Sequence, residues 1–586
     1  MSRRAVLVTR WVSVAALFAA LAGVTLPERP RPLDSALQPG DTPMPPVIAG
    51  AFHVHTNRSD GRGTVAEVAV AAARAGLSFV IVTDHGDGTR VPDSPTYYGD
   101  VLVLDGVEIR TTQGHYLSVG QEQAPYPLGG EPRDVTEDVR RLGGFGVAAH
   151  PGSPKDGLRW HAWATAIDGL EWLNGDSTWR DEAWYRLGLA LLQYPMRAPA
   201  AMAALFERPV ETLLRWDALT QRRRVVALAG SDAHGALALL GAEDWRVQPL
   251  ALPSYEQVFR TFAIRVQLDE LWSGDATADA VALLDGLREG RVYTVLDALA
   301  IPGRFHFSAA GETQVAQAGG VLPAGAPVRV TVRAGLPTGA EIRLYENGAL
   351  VHRTRNPELN YVSDGGRSVF RAEVVLPWAP GTPAVPWIVS NPIYVGLPPE
   401  PRLATSSVAA GRSVALFTDE VDPAGWTVEH EGDSLAAVES TATVDGQELA
   451  LRYALSGGDS GSPFAALVRS DAGMRAHFDR IRFTVRGDRA QRIAVQLRSG
   501  LSGADLRWRR SVYVGTEPRR VTIRLQEMRR VPPRTVAWPQ LEEGTALLFV
   551  VDSVNTPPAT SGVIWLDDVR LESSERSPDE SQLPPN

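Results

Sequence analysis

Between residues 47 and 234 the chain repeats one pattern, a short apolar run whose C-terminal end carries a histidine or a carboxylate. Val47 to Phe52 leads into His53-Val54-His55, and Phe79 to Val82 into Thr83-Asp84-His85. Val101 to Val107 ends in Glu108, Phe145 to Ala149 in His150-Pro151-Gly152, and Val225 to Gly230 in Ser231-Asp232-Ala233-His234. Continuous apolar runs read as strands buried on both faces, and barrels of parallel strands place their chemistry at the strands' C-terminal ends. The pattern therefore predicts a ring of ligand-type side chains around one mouth.

On an extended strand side chains alternate, so His53 and His55 are expected on one face, roughly 7 Å apart along the chain, as a chelating pair. The Ser59-Asp60-Gly61 turn brings the Asp60 carboxylate back toward the strand end. His115, opening the run to Gly120, completes a set of six imidazoles (His53, His55, His85, His115, His150, His234) and three carboxylates (Asp60, Glu108, Asp232). A four-coordinate catalytic site uses about three protein ligands and keeps a position for water. The set thus suits two or three divalent ions, Zn, Mn or Fe, with Glu108 free to bridge. Asp84, on the opposite strand face from its neighbour, is read as support rather than ligand.

His-x-His-x-x-x-x-Asp-Gly, Thr-Asp-His, Gly-Val-Glu, His-Pro-Gly and Ser-Asp-Ala-His, in this order, resemble the polymerase and histidinol phosphatase (PHP) superfamily of metal-dependent phosphoesterases over about residues 48 to 300. The resemblance implies a distorted (β/α)7 barrel holding up to three metals. It implies one ion on His53, His55, Glu108 and Asp232, a second on Glu108, His115 and His150, and a third on Asp60, His85 and His234. The segments Glu171 to Asn174 and Pro386 to Val395 are more similar to a carbaryl-hydrolase-like branch, whose members hydrolyse other esters.

Residues 1–26, with Arg3, Arg4 and Arg10 before an apolar stretch, read as a signal peptide or N-terminal membrane anchor, and the Pro-rich residues 27–46 as a tether. The barrel is therefore expected outside the cytoplasm, periplasmic or at the cell surface. There is no cysteine, and the net charge of -10 without a basic run excludes nucleic-acid binding by the bulk surface. The one lysine, Lys155, lies just past the His150 motif, and with Arg58 and Asn174 it is a candidate substrate contact. Asp176 and His161 are weaker candidates. Thr64, Glu67 and Gly76 bound a capped helix. A strand, 168–174, and helices over 181–205 and 209–223 are expected before Asp232, in a stretch holding Trp160, Trp163, Trp172, Trp179, Trp184 and Trp216; one or two of these are expected to wall an apolar pocket.

Beyond residue 310 the apolar residues alternate, with Asn347-Gly348 as a hairpin turn. The expected architecture is α/β: the barrel over 47–310, a small β-sandwich over 311–396, a linker 397–413, and a jelly-roll-like sandwich over 414–574 before a disordered tail, 575–586. The closing run Ile564 to Leu571 resembles galactose-binding-like domains, which implies carbohydrate or wall-polymer contact. The expected function is an exported multinuclear hydrolase that cleaves a small-molecule phosphoester with a metal-activated hydroxide. Asp232, Glu108 and His234 carry the catalysis. The alternatives are hydrolysis of carboxylic or carbamate esters at the same site, and a non-catalytic metal-binding surface protein.

Overall fold

The computed structural model describes residues 45–180, 182–235, 252–397, 410–419, 424–443, 446–457, 462–470, 478–499, 506–531 and 545–574. The expected leader, most of the 27–46 tether and of the 397–413 linker, and the tail lie outside the described residues. Among the described residues strands hold 43% and helices 17%, so the protein is mostly β there despite the α/β reading. Two compact units emerge: residues 1–123 with 131–402, and 124–130 with 403–586.

In the first unit the apolar runs form β1 (Val47–Val54), β2 (Phe79–Val82), β3 (Val101–Thr111), β5 (Phe145–Ala148) and β7 (Val226–Gly230), with β4 (Gly114–Val119) and β6 (Gly169–Asn174) between them. β1–β2, β2–β3, β5–β6 and β6–β7 pair in parallel. β4 is antiparallel to both β3 and β5. Its reversal has a simple cause: only Thr112 and Gln113 separate it from β3, too few residues for a parallel crossover. His115 near the start of β4 therefore lies at the same edge as the C-terminal ends of the parallel strands.

The sheet curls into a half-barrel, and the chain just past β7 meets β1. Ser231 N donates to Phe52 O at 2.8 Å, His55 N donates to Ala233 O at 3.0 Å, and Val54 and Ala233 form a parallel bridge. Helix α1 (Val65–Ala75), with its capping box on Thr64 and Glu67 and left-handed Gly76 at its end, returns the chain from β1 to β2. The helix expected over 181–205 runs Trp184–Ala203 and breaks at Arg197, two residues before Pro199, where a helical backbone cannot continue unperturbed. Among the described residues no helix is long and apolar enough to cross a membrane.

The expected boundary at 310/311 does not separate two units. On the far side of β1, the antiparallel strands β8 (Ala263–Gln267) and β9 (Val292–Val295) extend the sheet, and β9 pairs with Ile388–Ser390. Ile388–Ser390 pairs in turn with Ser368–Val375, and that strand with Glu341–Glu346. Asn391 completes the join. Its side-chain amide donates to Ala227 O and Val292 O and accepts from Ala227 N, all within 3.0 Å, so it replaces a strand for the β7 backbone. Asn347 and Gly348 both have positive φ, as a two-residue type I′ hairpin requires. A four-stranded sheet of Val315–Gln317, Phe305–Ala310, Val328–Ala334 and Glu358–Ser363 completes this region.

The second unit is a β-sandwich of two six-stranded sheets. Its core holds Phe417, Leu451, Phe483, Phe549 and Ile564.

Candidate metal centre

His53 does not reach the site as an ordinary strand residue. Its φ is 64°, and the β1–β2 register slips between Phe52 and Val54, so β1 bulges there. Alternation on a regular strand was the wrong reason for expecting the pair to converge. The bulge aims both rings inward, and the two Nε2 atoms stand 3.1 Å apart. His150 and Asp232 also have left-handed backbone, at φ 30° and 47°. Such conformations cost of order 1–3 kcal/mol in a residue with a Cβ, and they cluster at functional sites.

The nine candidate ligands form one cluster with Glu108 at its centre. Its Oε2 is 3.3 Å from His53 Nε2, 3.2 Å from His55 Nε2 and 3.2 Å from His85 Nδ1. Its Oε1 is 2.8 Å from His115 Nδ1 and 2.9 Å from His150 Nε2. Asp232 Oδ1 stands 3.4 Å from His53 Nε2 and 3.2 Å from His55 Nε2. Asp60 accepts from the other side, 3.4 Å from each of His55, His85 and His234. Four sets place three ligand atoms within 4.8 Å of one another: His53, His55 and Glu108; His53, His150 and Asp232; His55, Asp60 and His234; His85, Glu108 and His115. These sets overlap the allocation implied by the family resemblance, since Glu108 Oε1 also faces both His115 and His150, and Asp60 faces both His85 and His234.

The tautomers are set from outside the cluster. His53 Nδ1 faces Glu171 Oε1 at 2.6 Å, His150 Nδ1 faces Leu158 O at 3.0 Å, and His234 Nδ1 faces Asp232 O at 2.9 Å. Each acceptor holds a proton on Nδ1 and leaves the Nε2 lone pair to the cluster. Glu171 also accepts from His150 N at 2.6 Å and from Asn174 Nδ2 at 2.9 Å. Sequence reasoning missed this role, because a carboxylate in mid-strand carries no motif. A signal was available in Gly230, where an added Cβ would stand 1.6 Å from Glu171 Oε1.

Burial opposes charge on His53, His55, Asp60, Glu108 and Asp232, and their pairing outweighs it. His53 is held well above its usual range by Asp232, Glu171 and Glu108 despite its burial. His55, also opposed by burial, is pushed up to about 10 by Asp232 and Glu108. Glu108 and Asp232 resist desolvation through the neighbouring histidines and stay well below the carboxylate range, and so does Asp60, chiefly through His234 and His85.

Asp84 accepts from Thr56 N at 2.7 Å and from the Thr56 and Ser59 hydroxyls at 2.6 Å each, so it braces the loop after β1. Of the substrate candidates, Asn174 and His161 line the cleft beside the cluster. Arg58 pairs with Asp93 and Asp105. Asn174 is spent on Glu171 and on Ser177 N, and Lys155 is exposed on the loop after His150. Asp176 holds Trp179 and Arg180, and His161 pairs with Asp156. Beside the cluster opens a cleft of about 370 Å³ walled by Trp160, Trp163, Trp172 and Glu171, whereas Trp216 is in the core and Trp184 is exposed.

No protein-family model matches the chain. A curated relative, an uncharacterized protein of Methanocaldococcus jannaschii, is 31% identical over 86 residues, covering 14% of this chain and 49% of its own. The chain thus spans about half the length of the curated relative it matches. Among solved structures, the family 11 carbohydrate-binding module of the Clostridium thermocellum cellulase Lic26A-Cel5E is 14% identical, with 28% of this chain and 98% of the module covered at a TM-score of 0.23. The mannan-recognising module TmCBM27 is 15% identical, with 29% and 98% covered at a TM-score of 0.19. At such scores neither likeness supports an argument about this chain.

Proposed function

We propose that this chain is a metal-dependent phosphoesterase whose curled sheet is the distorted (β/α)7 barrel of the PHP superfamily. The observation that carries the reading is the convergence of six imidazoles and three carboxylates, Glu108 among them, into one cluster. Two Nε2 atoms 3.1 Å apart, with the Nδ1 of His53 directed to Glu171, suit a shared cation better than each other. The residues that would hold divalent ions are His53, His55, Asp60, His85, Glu108, His115, His150, Asp232 and His234. Bound ions would supply the charge that acidifies a water and offsets negative charge on a transferring phosphoryl group.

The chain's own part is positional. Glu171, Leu158 O and Asp232 O fix the imidazole tautomers, and Glu108 joins the sub-clusters through its two oxygens. Asp232, beside both His53 and His55, is placed to take the attacking water's proton. Hydrolysis forms one P–O bond to that water's oxygen and breaks the ester P–O bond. The alcohol leaves with the bonding pair and takes up a proton from solvent, to which the rim of the cluster is open at His85 and His234. A second reading, hydrolysis of carboxylic or carbamate esters, is favoured by the tryptophan-walled cleft.

The test is parallel kcat/KM measurement on one manganese-loaded preparation with phenyl phosphate, phenyl acetate and a phenyl carbamate. Faster phosphoester cleavage, abolished in Asp232→Asn, is expected. A tenfold preference for the acetate or carbamate, lost in the same variant, moves the assignment to the second reading.

A further inference from the structure

The cleft and the cluster share a loop. It leaves β5 at His150, runs through Pro151 and Gly152, and comes back so that Leu158 O accepts from His150 Nδ1 at 3.0 Å. The next two residues, Arg159 and Trp160, line the cleft with Trp163 and Trp172. A ligand group held in the cleft thus lies beside whatever the cluster holds.

The cleft's charges are nearly all matched. Arg208 is bidentate with Glu373, Arg215 pairs with Glu211, and Glu182 and Glu207 both pair with Arg186. Arg159 differs. Its Nε donates to Ser153 O at 2.5 Å, which fixes the guanidinium on the loop, and among the described residues it has no carboxylate partner. Beside it the Trp160 indole is fully buried, stacked on Tyr116 with ring centroids 5.5 Å apart, and its Nε1 meets no acceptor. Both unmet groups are donors, and a buried donor without a partner is costly. Trp160 and Trp172 are fully buried behind the cleft wall and Trp163, partly exposed, offers it an aromatic surface; about 370 Å³ is within the range of small-molecule sites.

We infer that the cleft is a second subsite that takes an aromatic ring bearing an anion, so that the substrates are aryl esters with a negatively charged ring substituent bound at Arg159. The inference rests on reading the cluster as hydrolytic, but binding in the cleft can be measured without turnover. On the manganese-loaded full chain, 4-carboxyphenyl phosphate should be cleaved with at least tenfold higher kcat/KM than its neutral isostere 4-carbamoylphenyl phosphate. Arg159→Gln should bring that ratio to within threefold of one, and Arg159→Lys should restore part of the ratio. In parallel, titrating the metal-free full chain with 4-hydroxybenzoate should quench tryptophan fluorescence saturably, with at least tenfold weaker binding in Arg159→Gln. Quenching that depends on Arg159 upholds the subsite even where neither ester is cleaved, a result that would count against the hydrolytic reading alone. Equal rates for the two esters, or a ratio unchanged in Arg159→Gln, overturns the inference; without turnover, quenching that is absent or indifferent to Arg159 does so.

Discussion

At the scale of single residues, the cluster depends on groups that would never touch a metal. Glu171 holds His53 through one oxygen and the His150 backbone through the other, and it fits only because Gly230 has no side chain. Gly230→Ala should therefore displace Glu171, cost about 1–3 kcal/mol by overpacking, and lower bound metal in protein that still folds; thermal melts and elemental analysis check both. Glu171→Gln keeps the shape but weakens the acceptor for His53 Nδ1, and the loss in metal affinity should be about 10–100-fold. Protonation gives a further test. With His55 pushed up to about 10 and His53, His150 and His234 also raised, the metal-free site holds protons at neutral pH. Ligation needs neutral imidazoles, so metal uptake must expel those protons, and apparent affinity should climb as pH rises from 6 toward about 10. Calorimetry of metal binding in two buffers of unlike ionisation enthalpy reads the protons released; equal heats in both would refute it.

At the scale of elements, the apolar runs that become β1, β2, β3, β5 and β7 were legible because buried strands leave little choice of residue, and the ligands follow at their ends. What was not legible was geometry that depends on a neighbour. The bulge at His53 places a histidine at positive φ, which no local pattern announces. The reversal of β4 follows from the brevity of its link to β3, and the pairing of Arg58 with Asp93 and Asp105 is one no local pattern announces. The alternation beyond residue 310 correctly announced strands but gave no sign of what they pair with. Arg371, in the strand Ser368–Val375, is buried between Asp217 and Glu373, and Glu373 also holds Arg208. Removing one member of such a network leaves a charge unpaired and typically costs about 3–5 kcal/mol. Arg371→Met should thus lower the melting point sharply, and a chain ending at 310 should fail to melt cooperatively; a truncation at 310 that melts as one transition and keeps its metals would show these strands to be dispensable.

At the scale of the whole molecule, every ligand and every strand of the curled sheet belongs to the first unit. A chain ending at residue 402 should hold as many metals as the full chain, two or three by elemental analysis. Metals that bind only the folded form stabilise it by mass action, so chelation should lower the melting point of both chains alike. A metal count below two in either folded chain would defeat the multinuclear reading. The closure between β1 and the end of β7 has a consequence in time. Phe52 and Ser231 stand 179 residues apart in sequence, and contacts of such separation carry a large loop-closure cost and form late. Translation releases His53 and His55 long before Asp232 and His234, so a growing chain carries the first half of its site with nothing opposite it. On the proposed reading, metals would act as a clasp on the closed sheet, taken up only once the last strand end is in place.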